Sequence, residues 1–136
     1  MREAILLALA RLDAERPAEE EAAYTELEAQ ASPPALALCD GCTRCAFRCV
    51  DHIEMSYPEF SRLLRALAAL PEARLRALLA QEKRILWAEL ATVEMCPFLD
   101  MESRYCALYP ARPLVCRIFG LVPWFPCPEG RVEEPI

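Results

Sequence analysis

Eight cysteines constrain this 136-residue chain more than any other feature, because they fall into two separate groups of four. The first group, with spacings of two, two and three residues, comprises Cys39, Cys42, Cys45 and Cys49. The second group, with spacings of nine, nine and ten residues, comprises Cys96, Cys106, Cys116 and Cys127. Clustering of this kind indicates disulfide bonds or metal ligation rather than the use of cysteine as a small apolar core residue.

The N-terminal segment favours metal over disulfides, since it does not have the pattern of a secretory signal. Residues 4–10 are apolar but number only seven, and Arg11 and Asp13 follow at once. No stretch approaches the roughly 20 apolar residues of a membrane span. Disulfides require an oxidising compartment, which a chain without a secretory signal does not reach. We therefore expect a soluble, cytoplasmic protein with reduced cysteines.

The net charge of −6 narrows the range of partners. Nucleic-acid binders need a basic surface to displace counterions from the phosphates. An acidic chain is also poorly suited to an anionic membrane. We expect a metal ion or cluster as the ligand, with no nucleic acid and no membrane, and the pattern leaves a protein partner open.

The chain before the first cysteine group is predicted to be helical. Ile5, Leu6, Leu9 and Leu12 have the spacing of one helix face over residues 2–15. A second helical piece is predicted from Pro17 to the prolines that follow Ser32. Residues 1–34 thus form the predicted N-terminal helices.

Two further helices are predicted between the cysteine groups. Ser56 and Glu59 form a capping box that begins a helix reaching Leu70. Pro71 begins the next helix, and a leucine stripe extends it to about Thr92. If these helices form an antiparallel pair, they bring the two cysteine groups together.

The C-terminal region from residue 93 onward has a different character. It contains seven of the twelve prolines and no helical stripe of three turns, although residues 105–109 suit a short strand. A long irregular segment rarely stays compact without a cross-link, and metal bonds supply one. The predicted fold is mostly α: a single small helical domain over residues 1–136 with an irregular, proline- and cysteine-rich, metal-binding C-terminal lobe.

Sites made of thiolates alone select zinc or an iron–sulfur cluster, so a metal held only by these cysteines is expected to be one of the two. The first group has the spacing of bacterial ferredoxins, which favours a [4Fe–4S] cluster, although Val50 stands where ferredoxins have proline. Three cysteines at spacings of two commonly take a distant fourth ligand, so a site mixing Cys39, Cys42 and Cys45 with one cysteine of the second group is predicted. His52 is an alternative ligand.

Short motifs surround the cysteines of the second group. The run Cys96-Pro97-Phe98-Leu99 is followed by Cys106, Leu108 and Tyr109, and then by Arg112, Pro113, Cys116, Arg117 and Phe119. Together with Cys39, Cys42 and Cys45, these motifs resemble the YkgJ-type cysteine-cluster family of zinc- or iron-chelating proteins over roughly residues 39–128. The sequence departs from the family at Ala46, which follows Cys45 where the family has an adjacent cysteine pair.

This resemblance implies metal chelation, and we expect all eight cysteines to act as metal ligands. A four-thiolate centre carries a formal charge of about −2, so Arg112 and Arg117 are expected to lie around it as hydrogen-bond donors. Some relatives join such a cluster to a methyltransferase that modifies flagellin lysines, but this sequence contains no catalytic motif and no G-x-G-x-x-G loop. Three functions stay open: an iron–sulfur protein, a structural zinc module that binds a protein, and an accessory redox or methyl-transfer subunit.

Overall fold

Five α-helices make up most of the regular structure in the computed structural model, which describes residues 1–15, 18–31, 42–50 and 52–132. The helices are α1 (Arg2–Ala14), α2 (Ala18–Ala31), α3 (Tyr57–Ala69), α4 (Glu72–Ala80) and the short α5 (Leu114–Arg117). The N-terminal helices and the helix after the first cysteine group are therefore confirmed, and the described chain is mostly α. No helix in these ranges is long and apolar enough to span a membrane.

Among the described residues, three antiparallel hairpins supply the strands, and each is a separate two-stranded sheet. The strands are β1 (Arg84–Trp87) with β2 (Ala91–Glu94), β3 (Leu99–Asp100) with β4 (Tyr105–Cys106), and β5 (Leu121–Val122) with β6 (Phe125–Pro126). The strand predicted within residues 105–109 is present but covers only its first two residues. A 3₁₀ turn follows it at Tyr109–Ala111.

The predicted long helix from Pro71 to about Thr92 is wrong, because α4 ends at Ala80 and the β1–β2 hairpin follows. The side chain of Gln81 donates to Asp100 at 2.8 Å and accepts the N–H of Met101 at 3.0 Å. This tertiary contact fixes the chain where the helix would continue. Leu86 and Leu90, which extended the apparent stripe, are exposed.

The capping box at the start of α3 is confirmed. The backbone N–H and the hydroxyl of Ser56 both donate to Glu59, each at 2.8 Å. Because the first N–H groups of a helix have no partner within it, such contacts fix where the helix begins.

Helix α1 runs antiparallel to α3, as side-chain contacts at its two ends show. Arg2 donates to the carbonyl oxygens of Ala68 and Leu70 at the end of α3. Asp13, at the other end of α1, accepts from the hydroxyl of Tyr57 at the start of α3 at 3.1 Å. The arginine satisfies carbonyls that a helix C-terminus leaves without a partner.

The hydrophobic core combines the helices with the cysteine-rich region. Its buried residues are Leu63 and Leu67 of α3, Leu75 and Leu78 of α4, and Leu108, which follows β4. Each fully buried leucine contributes on the order of 2 kcal/mol. Since Leu108 lies between two cysteines of the second group, this core holds part of the metal-binding region against α3 and α4. Whether residues 1–136 fold as one domain stays a prediction.

Candidate metal site

A 3₁₀ turn at Ala46–Arg48 shapes the first cysteine group. The N–H of Arg48 donates to the carbonyl of Cys45 at 2.9 Å, and the N–H of Cys49 donates to that of Ala46 at 3.0 Å. The turn therefore separates Cys49 from the cysteines before it and directs the chain toward the second group. Cys39 lies outside the described residues.

The two cysteine groups meet through backbone pairing. The N–H of Cys96 donates to the carbonyl of Cys49 at 2.7 Å, and Val50 forms an antiparallel bridge with Met95. The structure thus places Cys49 beside Cys96, as predicted, but the return path is α3, α4 and the β1–β2 hairpin rather than two antiparallel helices.

The β3–β4 hairpin brings Cys106 back toward Cys96. The N–H of Leu99 donates to the carbonyl of Cys96 at 3.0 Å, and Leu99 pairs with Cys106 in the strand register. Asp100 fixes the following turn by accepting from Ser103 at 2.9 Å and from the N–H of Glu102 at 3.1 Å. The turn residues therefore position a cysteine that is distant in sequence.

Cys116 lies in α5, which two side chains hold in place. Glu59 accepts the N–H of Leu114 at 2.7 Å and so ties the start of α5 to α3. Arg112 places its guanidinium 3.5 Å from the ring centroid of Tyr109 and donates to the carbonyl of Cys116 at 3.4 Å. Stacking and the hydrogen bond together fix a positive charge beside Cys116.

One thiol of the first group and three of the second lie close enough to affect each other's protonation: Cys49, Cys96, Cys106 and Cys116. Burial and then the neighbouring thiols raise the pKa of Cys49 to about 11 and that of Cys116 to about 12, against the opposing influence of Arg112. Burial likewise raises the pKa of Cys106. A bound metal cation would lower these thiol pKa values, since the thiolate is the form that ligates metal.

Cys127 lies after the β5–β6 hairpin in a different environment. Burial acts to raise its pKa, but the N–H groups of Arg131, Glu129 and Val132 outweigh this and lower the pKa of Cys127. Gly120 has a φ of +87°, and a Cβ there would stand 3.5 Å from the Cα of Cys127. That distance is an ordinary van der Waals contact, so it is the positive φ that favours glycine at this position.

All seven described cysteines line one open cleft of about 210 Å³: Cys42, Cys45, Cys49, Cys96, Cys106, Cys116 and Cys127. Ile53, Met55, Phe98 and Phe119 supply apolar walls. None of the seven forms a disulfide. Within the described ranges, no three Cys, His, Asp or Glu side chains are already arranged to hold a metal ion.

The predicted arginines differ in their contacts, although both line the cleft. Arg112 acts on the pKa of three cysteines, as described above. Arg117 instead forms an ion pair with Glu28 of α2 and donates to the hydroxyl of Tyr24 at 3.4 Å. His52 is exposed, has a φ of +69°, and is not among the residues that line the cleft. A metal-related role for Arg117 or His52 stays untested.

Two supporting residues were not found from the sequence. Lys83 donates to the carbonyl of Leu99, next to the turn that begins at Cys96. Asp100 is 2% exposed and accepts from Arg74 at 2.5 Å. The only signal for Lys83 is that it is the single lysine of the chain. Asp100 carries no such signal, because its partners are distant in sequence.

The donor set fits the metals that soft ligands prefer, since thiols from both groups face one cleft with an arginine beside them. The family model CxxCxxCC, described as "Putative zinc- or iron-chelating domain", matches residues 38–131. No curated protein sequence and no solved structure matches the chain. The match covers more than half of the 136 residues, so the chain belongs to this CxxCxxCC family of zinc- or iron-chelating domains.

Proposed function

We propose that this protein binds metal in the cysteine-lined cleft as iron–sulfur of the [4Fe–4S] type, with all eight cysteines acting as metal ligands and four thiolates to a cluster. The observation that carries the proposal is the convergence of thiols from both sequence groups on one cleft. The thiols are proposed to be reduced in a cytoplasmic protein. The cluster would supply reversible one-electron chemistry, and the chain's own residues would bind and shield it.

The size of the cleft favours a cluster over a single zinc ion. A tetrahedral zinc site holds four sulfurs about 2.3 Å from one ion, so it needs little space between them. The cleft measures about 210 Å³, and seven described thiols line it. Both the volume and the number of sulfurs exceed the needs of one ion.

The charges around the cleft also suit a cluster. Four thiolates and a [4Fe–4S]²⁺ core together carry a formal charge of about −2, which is costly to bury without nearby donors. Arg112 supplies a guanidinium held by stacking on Tyr109. Arg117 is already paired with Glu28, so Arg112 is proposed as the main compensating charge.

Structural zinc in a protein-binding module is the second candidate, and the β1–β2 hairpin favours it. Leu86, Trp87 and Leu90 are exposed on this hairpin, at 67%, 52% and 89%. Exposed apolar side chains grouped in this way are typical of protein-interaction surfaces. An accessory redox or methyl-transfer subunit would use the same surface to contact a catalytic partner.

Anaerobic purification followed by iron, sulfide and zinc analysis tests the proposal. We expect iron and acid-labile sulfide in equal amounts and a visible absorption band that bleaches on reduction. A colourless protein that contains zinc and no sulfide would contradict the iron–sulfur proposal and support the structural zinc module.

Substitution of Arg112 provides a second test. Arg112→Gln removes a positive charge beside the cleft, so the reduced, more negative cluster loses stabilisation and the reduction potential should fall. Arg76→Gln is the matched control, because Arg76 lies on the exposed face of α4 and pairs with Glu72. Equal potentials in both variants and the wild type would show that Arg112 does not act on the cluster.

A further inference from the structure

We infer that an aromatic and basic surface beside the cysteine-lined cleft docks an acidic segment of another protein. This surface, the rim patch, comprises Phe47, Arg48, Trp124 and Phe125, with Arg44 at its edge. The inference goes beyond the proposed metal binding, because it concerns what the protein contacts, and it is independent of which metal the cleft binds.

The aromatic side chains of the rim patch are exposed to solvent. Phe47 and Phe125 are exposed, and Trp124 is 70% exposed. Trp124 lies in the turn of the β5–β6 hairpin, and the β5 residues Leu121 and Val122 are buried. The buried strand anchors the hairpin, so the tryptophan is presented from a fixed position. Exposed aromatic side chains grouped in this way are typical of the centre of a protein interface.

Arg48 lies between the aromatic rings and holds the rim patch together. The Cζ atom of its guanidinium is 5.4 Å from the ring centroid of Phe47 and 5.9 Å from that of Phe125, distances that suit cation–π attraction. Arg48 also donates to the carbonyl of Pro126 at 2.7 Å. The arginine is therefore ordered before any partner binds, which lowers the entropic cost of association.

The charge beside the rim patch is positive, in contrast to the net charge of −6 for the whole chain. Four arginines line the adjoining cleft, and no aspartate or glutamate of the described residues does so: Arg44, Arg104, Arg112 and Arg131. Arg44 pairs with Glu129 at 3.6 Å, and both side chains are exposed. Such an exposed pair contributes little, so a carboxylate of a partner can compete for Arg44.

The arginines of the helices differ, because they are neutralised within the chain. Arg65 of α3 pairs with Asp13 at 2.6 Å, and Arg76 of α4 pairs with Glu72 at 2.9 Å. The helical surface therefore offers a partner less unbalanced positive charge than the rim patch does. Charge complementarity indicates a partner segment with carboxylates around apolar side chains.

Nucleic acid is the alternative that arginines and exposed aromatic rings also suit, since bases stack on such rings. The net charge of −6 opposes it, because a phosphate backbone carries one charge for every nucleotide and is repelled over the whole molecule. An acidic protein segment concentrates its charge over a few residues and meets only the basic surface.

Fluorescence titration of the full chain, as purified with its metal, tests the docking with a short synthetic peptide in which glutamates flank a leucine pair. In a Trp87→Phe background, Trp124 is the one remaining tryptophan and its emission reports on the rim patch. We expect this emission to shift on binding, and the affinity to fall about tenfold from low to physiological salt. The same peptide with lysines in place of the glutamates should not bind.

Substitutions of exposed residues locate the binding surface, measured by anisotropy of the labelled peptide. Trp124→Ala should weaken binding about tenfold or more, as loss of a central aromatic side chain does. Trp87→Ala is its control, because Trp87 is also exposed but lies on the β1–β2 hairpin. Arg44→Gln should weaken binding about threefold. Arg76→Gln is the matched control, since the two side chains are 67% and 68% exposed and each pairs with a glutamate.

Three outcomes would overturn the inference. They are absence of saturable binding to the glutamate peptide, equal losses in Trp124→Ala and Trp87→Ala, and tighter binding of a single-stranded oligonucleotide than of the peptide. Metal analysis of the same sample tests the proposed function separately. A sample without iron or zinc contradicts that proposal, whereas the peptide titration decides this inference.

Discussion

Glu59 shows how one side chain serves both local structure and the site. It is 8% exposed, and it accepts hydrogen bonds from Ser56, from the hydroxyl of Tyr24 at 3.0 Å and from the N–H of Leu114 at 2.7 Å. The capping box predicts only the first of these bonds. The other two hold α2 and α5 against α3, so Glu59 indirectly positions Cys116.

Glu59→Gln should destabilise the fold by about 2 kcal/mol, since it replaces a charged acceptor by an amide whose NH₂ faces other donors. The measurement is urea unfolding followed by helical circular dichroism. Glu72→Gln is the control, because Glu72 makes only an exposed pair with Arg76, and it should cost about 0.5 kcal/mol or less. Equal losses in the two variants would show that the buried bonds of Glu59 contribute nothing.

The pH dependence follows from the same carboxylate. Burial acts to raise the pKa of Glu59, but the hydrogen bonds from Leu114 and Ser56 outweigh it and hold this pKa below its ordinary value. A carboxyl whose pKa is lower in the folded state stabilises the fold fully at pH values above its unfolded-state pKa of about 4.3. This stabilisation is lost as the pH falls through the folded-state pKa. The difference in unfolding free energy between wild type and Glu59→Gln should therefore be constant near pH 7 and shrink below about pH 4. A difference that grows on acidification would contradict this assignment.

At the scale of elements, the β1–β2 hairpin is the clearest departure from sequence expectation. Its turn places Ala88 at a φ of +50° and Glu89 at +60°, a conformation that favours glycine or asparagine. The strands still form, because Ile85 pairs with Val93 and Leu86 with Thr92, and β-branched residues favour strands. The hairpin thus keeps a strained turn while exposing apolar side chains.

Glu89→Gly should stabilise the hairpin by about 1 kcal/mol, since glycine adopts positive φ without a steric penalty. Hydrogen exchange of the β1 and β2 amides is the direct measurement. Ala77→Gly in the middle of α4 is the matched control and should destabilise by about 1 kcal/mol. If both substitutions destabilise, the turn does not have the positive φ values described here.

At the scale of the whole molecule, the helices and the cysteine-rich region depend on different forces. The helices bury leucines against one another, whereas the region after β2 consists of short hairpins and turns that surround the cleft. Leu108 links the two by packing on α3 and α4. We infer that metal supplies the rest of the stability of the cysteine-rich region.

Metal removal should therefore loosen the C-terminal region and leave most helical circular dichroism intact. Trypsin should then cut quickly at Arg104 and Arg131, while Arg62 and Arg65 in α3 stay protected. Readdition of metal should restore resistance. An apo protein with unchanged cleavage would show that packing alone maintains the region.

The sequence predicted the features that depend on local chemistry. The capping box, the N-terminal helix and the helix after Ser56 follow from neighbouring residues, and the cysteine spacing with the motifs around Cys96 and Cys116 led to the family. The prediction of one helix over residues 71–92 failed because Leu86 and Leu90 have the helical period but no surface to cover.

The sequence by itself determined the metal-ligating chemistry, the family and the helical first half, because spacing and periodicity encode these within a few residues. Only the tertiary structure decided where α4 ends and which cysteines become neighbours. Both outcomes depend on contacts between distant residues: Gln81 with Asp100, and Cys49 with Cys96. Such pairings are set by the packing of whole elements, so the spacing of residues along the chain does not predict them.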